Sequence, residues 1–393
     1  MKKIILSILP LLLLTGCYNY QELNEIGIIT AIEIDKKDDL FKVTAQIVNP
    51  KNQNDTSSAN QPYFITYTNE GKTIQEATRG IVQELSRKIY GMHMQVLLVT
   101  ENLAKEDLTS MYDFFFRNSE IRKEFYVLVD TSNKDDKLLD ILTPITNLSS
   151  KNIVDTLTTD NKFAGINSLV TFNDMMDIYL DPHKELVLPT INIKENKKEG
   201  DNEKNLETTS DKTDIILGNL GIFKDNKYLG ELTKRQSIDV NLIKGNVKET
   251  LFTYKCDNNK NATIKILLDK STIDVDTKNL KVKINLKGTG SIAEYSCNDD
   301  LNKEEVIKKI NKKLNNQISK SVEKSIKEIN DTYNSDIYQI RDIIYKKDFK
   351  FYNKYKDNYY EKIFKNLEFN VKSNFELQGK GNLLGGTYEI MED

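Results

Sequence analysis

The 393-residue sequence has no tryptophan, two histidines and three cysteines. With so few imidazoles and thiols, His/Cys metal clusters and thiol-rich redox centres are all but excluded by supply, and neither a metal nor a cofactor is expected. A surplus of charge is missing as well: 56 Lys and Arg stand against 59 Asp and Glu, a net −3. Phosphate binding needs a clear basic excess, so nucleic acid is not expected as a partner. After the first seventeen residues no apolar run reaches the length that crosses a bilayer, about 20 residues. An apolar share of 38% with 29% charge fits a mostly soluble, globular chain, long enough for two or three domains.

Catalytic signatures are also absent. Neither G-x-S-x-G nor H-E-x-x-H occurs. His93, between Met92 and Met94, and His183 have no cysteine nearby and no partner four residues on, and a satisfied structural histidine is the expected role for His93. Gly71-Lys72-Thr73 resembles the end of a phosphate loop, but Thr66 stands where its first glycine belongs. The better reading is a turn whose Thr73 caps a helix. Gly288-Thr289-Gly290 has dinucleotide-fingerprint spacing inside a strand rather than at a helix start, and reads as a bulge or bend. The chain is not expected to be an enzyme.

What is present begins at the first residue. Met1-Lys2-Lys3 is basic, and Ile4 to Leu14 is an apolar run of signal-peptide length. Leu14-Thr15-Gly16-Cys17 then resembles the lipobox of bacterial lipoproteins, in which a diacylglyceryl group is attached to the cysteine sulfur and cleavage frees its amine for acylation. Cys17 is the expected lipidation site and 1–16 the signal peptide. Two acyl chains anchor stably where one does not. Loss of Lys2 and Lys3 takes the charge from −3 to −5.

Downstream, Ile26–Ile34 and Phe41–Val48 read as strands, Thr73–Arg87 as a helix, Met94–Val99 as a strand, Lys105–Phe116 as a helix and Glu124–Val129 as a strand. Lys194–Thr213 holds one apolar residue, Leu206, so 195–213 is expected to be a flexible linker between an N-terminal region, 17–194, and a C-terminal domain, 214–393. The latter opens with a hairpin closed at Asp225-Asn226. Three strands follow, about Val247–Cys256, Ala262–Asp274 and Leu280–Tyr295. Val306, Ile310, Leu314, Ile318, Val322, Ile326 and Ile329 then step by three or four, which predicts a long amphipathic helix, and Leu367–Leu377 closes the chain as a strand. The fold class is α+β, with mixed or antiparallel sheets flanked by helices.

Cys256 and Cys297 end the first and third of those three strands. Two strand spacings come to about 9–10 Å, and a disulfide needs Cα atoms within about 7 Å. Two unpaired thiols are expected. Between Lys303 and Lys365, 16 basic residues face 10 acidic ones, so the helix's polar face is either solvated or attracts an anionic surface or acidic partner. Tyr352, Tyr355, Tyr359 and Tyr360 follow it, as core or as partner contacts.

Taken in order, several segments resemble one family. They are Cys17 to Asn24, Ile28 to Asp35, Glu70-Gly71-Lys72-Thr73, Gly91-Met92-His93 leading into Gln95–Glu101, Arg117–Arg122, Leu188-Pro189, Gly221-Ile222-Phe223-Lys224, and Leu367 to Gly381. The chain resembles the Ger(x)C family, the C subunits of GerA-type spore germinant receptors. That resemblance implies three mixed domains without a known catalytic site. It also implies a lipoprotein on the outer face of the spore inner membrane, beside the integral A and B subunits of a nutrient receptor. A substrate-binding lipoprotein of an ABC importer is the alternative, and would show two doubly wound lobes around a ligand cleft.

Overall fold

The computed structural model describes residues 25–49, 62–133, 137–194, 200–202, 204–207, 213–257 and 260–379. The expected signal peptide 1–16, Cys17 and most of 195–213 lie outside these residues.

The alternating run β1 (Ile26–Lys37) pairs antiparallel with β2 (Leu40–Val48), which pairs with β3 (Phe64–Gly71). Thr73 caps α1 (Ile74–Leu85), its side chain accepting from the Glu76 N–H. The chain continues through β4 (Lys88–Tyr90), β5 (Val96–Thr100), α2 (Glu101–Glu106), α3 (Thr109–Arg117) and β6 (Tyr126–Asp130). The single helix expected over 105–116 is thus two, parted at Asp107-Leu108. Next come α4 (Ser149–Phe163), α5 (Phe172–Tyr179), β7 (Val187–Lys194), the short α6 (Lys204–Glu207), β8 (Asp214–Lys224) and β9 (Lys227–Glu231). Among the described residues these nine strands form one sheet, in the order β3-β2-β1-β5-β6-β7-β8-β9 with β4 beside β1. Strands β1, β5, β6 and β7 run parallel at its centre. Ile32, Ile34, Val43, Leu97 and Val99 face α1, α2 and α3 on one side, while Ala31, Val96, Leu98 and Leu128 face α4 on the other.

The β8–β9 hairpin closes at Asp225-Asn226, both with positive φ (49° and 63°), as a type I′ turn requires. β8 pairs antiparallel with β7, so the segment expected as a linker lies between two neighbouring strands of one sheet. Its described residues are docked: Gly200 accepts from the Leu142 N–H at 2.8 Å, and buried Asn205 donates to the Leu142 and Thr213 carbonyls at 2.9 Å. The Asn205 amide, bonded on both sides, ties these described residues to Leu142 and Thr213.

α7 (Lys234–Lys244) leads to a second, four-stranded sheet of β10 (Glu249–Asp257), β11 (Lys260–Asp276), β12 (Lys281–Tyr295) and, after α8 (Glu304–Tyr333), α9 (Ile340–Lys347), α10 (Phe349–Tyr355) and α11 (Tyr359–Lys362), β13 (Glu368–Gly379). The first three are antiparallel, and β13 lies parallel to β12. A bulge faces Gly288, where an added Cβ would sit 2.1 Å from the Leu267 carbonyl oxygen. Ile310, Leu314, Ile318, Val322, Ile326 and Ile329 of α8 are buried as the spacing predicts, in one core with Val282, Ile284 and Leu286 of the sheet. That core also takes Val187, Leu220 and Ile222 from the first sheet, so the two halves share their interior.

α8 also covers the outer edge of β13. Its Asn315, Ser319 and Glu323 side chains accept from the Phe375, Ser373 and Val371 N–H groups at 2.7, 3.1 and 3.0 Å. Four helical residues rise about 6 Å and two strand residues about 6.6 Å, so the two repeats stay in step.

The expectation of free thiols is overturned. Cys256 and Cys297 form a disulfide with Cα atoms 6.2 Å apart. Strand spacing does not apply, because β12 ends at Tyr295 and the chain continues past the start of β11, where Ser296 donates to the Asn261 carbonyl. Cys297 lies beyond the separating strand and is fully buried.

Candidate functional site

The pleat of β1 places Ala31, Glu33 and Asp35 on one face. Ala31 is core, and two residues later the same face turns acidic. Register gathers its surroundings. Glu33 lies opposite Thr44 on β2 and Leu98 on β5, Asp35 opposite Lys42, Thr44 opposite Thr68, and Thr100 opposite Asp130 at the end of β6. The chain after β6 folds back over them, bringing Ser132, Lys137 and Asp140. The result is a cavity of about 300 Å³ at the carboxyl ends of the parallel strands, the part of such sheets where ligands commonly sit.

Most of its polar groups hold each other. Thr100 Oγ1 donates to Asp35 Oδ1 at 2.5 Å, the Ser132 N–H to Asp130 Oδ1 at 2.8 Å, and Thr66 Oγ1 to Asp140 Oδ1 at 2.5 Å. Lys137 Nζ is 3.6 Å from Asp140 Oδ2. Glu33 Oε2 and Ser132 Oγ have neither solvent contact nor a hydrogen-bond partner. Burial pushes the Glu33 carboxyl well above the usual carboxylate range, and the charge of Asp130 adds to this against the opposing Lys42.

A second polar cluster lies where the loop before β7 meets α9 to α11. His183 Nδ1 is 2.7 Å from Asp181 Oδ1 and its Nε2 is 2.9 Å from the Tyr352 hydroxyl, while the ring stacks on Tyr345 with centroids 4.2 Å apart. Tyr360 donates to Glu185 at 2.6 Å, and Tyr359 to Asp336 at 2.8 Å. Burial pushes Asp336 up to about 7 despite the N–H groups of Ile340 and Arg341. Asp181, His183 and Asp342 offer ligand atoms within 4.8 Å of one another, the one such trio among the described residues. Lys184 and Lys346 already neutralise the two carboxylates, at 2.9 and 2.7 Å, and both imidazole nitrogens are engaged. Burial opposes it, yet donors from Lys184 and His183 hold Asp181 down at about 2. This cluster is a polar weld between the halves, and it answers what the tyrosines after α8 do: they are internal contacts.

His93, expected as a satisfied structural residue, is instead exposed beside the Tyr90 ring. Cys17, the lipidation site read from the sequence, lies outside the described residues. The acidic cavity was not found from sequence. Its one local signal is the switch from Ala31 to Glu33 and Asp35 on a face that is otherwise apolar.

Residues 19–193 match the family model for the spore germination protein N-terminal domain, and 218–381 match the one for the spore germination B3/GerAC-like C-terminal domain. The chain belongs to the Ger(x)C family. Spore germination protein KC of Bacillus subtilis (strain 168) is 28% identical over 231 residues, 57% of each chain. Spore germination protein B3 of the same organism is 29% identical over 131 residues, 32% of this chain and 34% of that one. The chain thus spans little more than half the length of protein KC and about a third of that of protein B3. The crystal structure of the GerBC protein superposes with a TM-score of 0.53 over 88% of this chain and 96% of that one at 16% identity, a likeness of fold. No helix among the described residues is long and apolar enough to cross a membrane.

Proposed function

We propose that the chain is the lipid-anchored, non-enzymatic C subunit of a nutrient germinant receptor. Cys17 carries the anchor, on the outer face of the spore inner membrane, and the integral A and B subunits are the partners. Family membership through both halves carries this reading, and the lipobox that precedes them supports it. The relatives named above bear germination names rather than the name of a reaction. The importer alternative calls for two doubly wound lobes, whereas this chain has one mixed nine-stranded sheet sharing a core with a four-stranded one.

The anchor acts through effective concentration. A tethered subunit meets its membrane partners as an intramolecular event, and an untethered one as a dilute bimolecular one. Cys17→Ala should therefore leave an uncleaved or released protein and sharply slow germination, with folding unaffected. Membrane fractionation and spore germination assays test this. Normal germination by a protein that still fractionates with membranes would make the subunit interfaces, and not the lipid, the attachment.

A further inference from the structure

Two strands that end a sheet, β3 and β13, are finished in opposite ways. β13 has its outward N–H groups taken by side chains of α8. β3 ends the nine-stranded sheet and pairs only with β2. The Asn49 N–H donates to the Tyr63 carbonyl at 2.9 Å, so these two residues form a hydrogen-bonded pair. In an antiparallel ladder such pairs alternate with open ones. The register is unbroken from Val48 opposite Phe64 to Phe41 opposite Gly71, so Ile65, Tyr67, Asn69 and Gly71 turn their main chain toward β2. Phe64, Thr66, Thr68 and Glu70 turn theirs outward. Among the described residues, none of these four N–H groups has a hydrogen-bond partner.

An open edge pairs readily with any extended chain, and proteins that make no use of one guard it with lysine, proline or a bulge. β3 contains no Lys, Arg or Pro, and its pairing with β2 shows no shift of register. Beside its first half lies a groove of about 810 Å³, walled on the other side by the chain around Leu142 and by α6. Tyr63, Ile65 and Leu206 line it and are 43, 42 and 46% exposed, so their apolar surface is available for contact. The charged residues of the lining are Asp140, Asp201 and Glu207, with no Lys or Arg among the described residues. Asp140 is engaged by Thr66 and lies near Lys137, which leaves Asp201 and Glu207 as the open charges.

The occupant's chemistry follows. A free ladder edge takes an extended main chain, and the side chains beside it select what that chain carries. Half-exposed apolar groups select apolar residues, and open carboxylates select a cation. The β3 of a second copy does not match, because it brings the Glu70 carboxylate and no cation.

We propose that the edge of β3 docks an extended segment of a partner protein that carries both apolar and basic residues. The segment adds as a tenth strand, its main chain pairing with Thr66, Thr68 and Glu70. Its apolar side chains cover Ile65 and Leu206, and a Lys or Arg lies toward Asp201 and Glu207. This docking rests on the strand edge and is independent of the receptor assignment.

The test is fluorescence anisotropy of the purified full chain, in nonionic detergent, with a dye-labelled peptide of alternating valine and lysine. Two further peptides accompany it, one with glutamate in place of lysine and one methylated on its main-chain nitrogens, which cannot pair. Saturable binding of the first is expected, with each of the others weaker by roughly tenfold or more. Thr68→Pro removes one outward N–H and no bond to β2, and should weaken binding by roughly tenfold, the worth of a main-chain hydrogen bond left unmade. Thr68→Ala keeps that N–H and should bind as the natural chain does. Glu207→Gln should weaken binding and reduce its salt dependence. Circular dichroism checks the fold of each variant, and if Thr68→Pro fails to fold, the methylated peptide on the natural chain still decides. No saturable binding, equal affinity for the methylated peptide, or equal affinity in a folded Thr68→Pro would each overturn the proposal. So would a dimer of the full chain in sedimentation velocity that Thr68→Pro abolishes, because the edge would then belong to a second copy. Each of these failures leaves the receptor assignment standing, since neither membrane nor germination enters the measurement.

Discussion

The Tyr360 hydroxyl donates a 2.6 Å hydrogen bond to Glu185 Oε1 across 175 residues of chain. It ties the segment after α8 to the loop that feeds β7. Glu185 Oε2 accepts from the Asp225 N–H at 3.0 Å, and Lys224 lies 3.9 Å over the Tyr360 ring. One buried carboxylate thus joins the β8–β9 turn, the centre of the first sheet and the C-terminal helices. Burial raises the Glu185 carboxyl above its ordinary value, and the Tyr360 hydroxyl opposes this by donating to the ionised form.

Tyr360→Phe should accordingly cost about 1–3 kcal/mol, the usual penalty for leaving a buried acceptor without its donor. The loss should grow with pH, because the hydroxyl serves the ionised carboxylate. Urea denaturation at acidic and at mildly alkaline pH measures both. An equal loss at the two values would mean that the ring's packing matters and the hydrogen bond does not.

Leu314 is fully buried in the core between α8 and the second sheet. Leu314→Ala should cost about 2–5 kcal/mol. Leu314→Asp, which buries an unpaired charge, should cost more or prevent folding. A melting temperature unchanged in both would place the stripe outside the core.

The disulfide closes a loop of 41 residues. By loop-closure entropy alone it restrains the unfolded chain by roughly 4 kcal/mol. Reductant should lower the melting temperature, and Cys256→Ala/Cys297→Ala should reproduce the drop without reductant. In protein unfolded without reductant, these two cysteines should resist alkylation. Their modification under those conditions would return the pair to free thiols.

Glu33 makes a signed prediction about pH. Its folded-state value lies above the ordinary 4.5, so between the two the native chain holds a proton that the unfolded chain has released. Stability from this group is present below 4.5 and is lost as pH rises through the folded value. Glu33→Gln should therefore be more stable than the natural chain at about pH 8 and equal to it at about pH 4. Thermal melts across that range decide it. A variant less stable at alkaline pH would mean that ionised Glu33 has a protein donor after all.

Where the structure was legible beforehand, one periodicity governed one element. The α8 stripe, the turn at Asp225-Asn226, the Thr73 cap and the bulge at Gly288 are each local, and each came through from the residues alone. α7 was missed because Lys234–Lys244 is buried nearly all round and shows no apolar face. Its Asp239 is paired with Arg235 and accepts from Ser321 and Ser325 at 3.0 and 2.7 Å, while Asn241 donates to the Gly165 and Ile166 carbonyls. Apart from Arg235, one turn away, those partners lie far off in sequence. The acidic cavity failed to appear for the same reason: Glu33 and Asp130 meet only through strand register, and Asp140 joins them from the short turn of helix at Leu138–Asp140. The disulfide escaped because strand spacing was applied to a cysteine that stands past its strand.

The Asn315, Ser319 and Glu323 ladder on β13 has a consequence for crowding. An open strand edge is a template on which another copy can add by backbone pairing. Here the outward N–H groups of Val371, Ser373 and Phe375 are already taken by side chains of the same chain. A second copy could add there only after α8 had lifted away from the core it fills. However densely these molecules are packed side by side, contacts at that edge must be made by side chains, which can discriminate between neighbours, and not by main chain, which cannot.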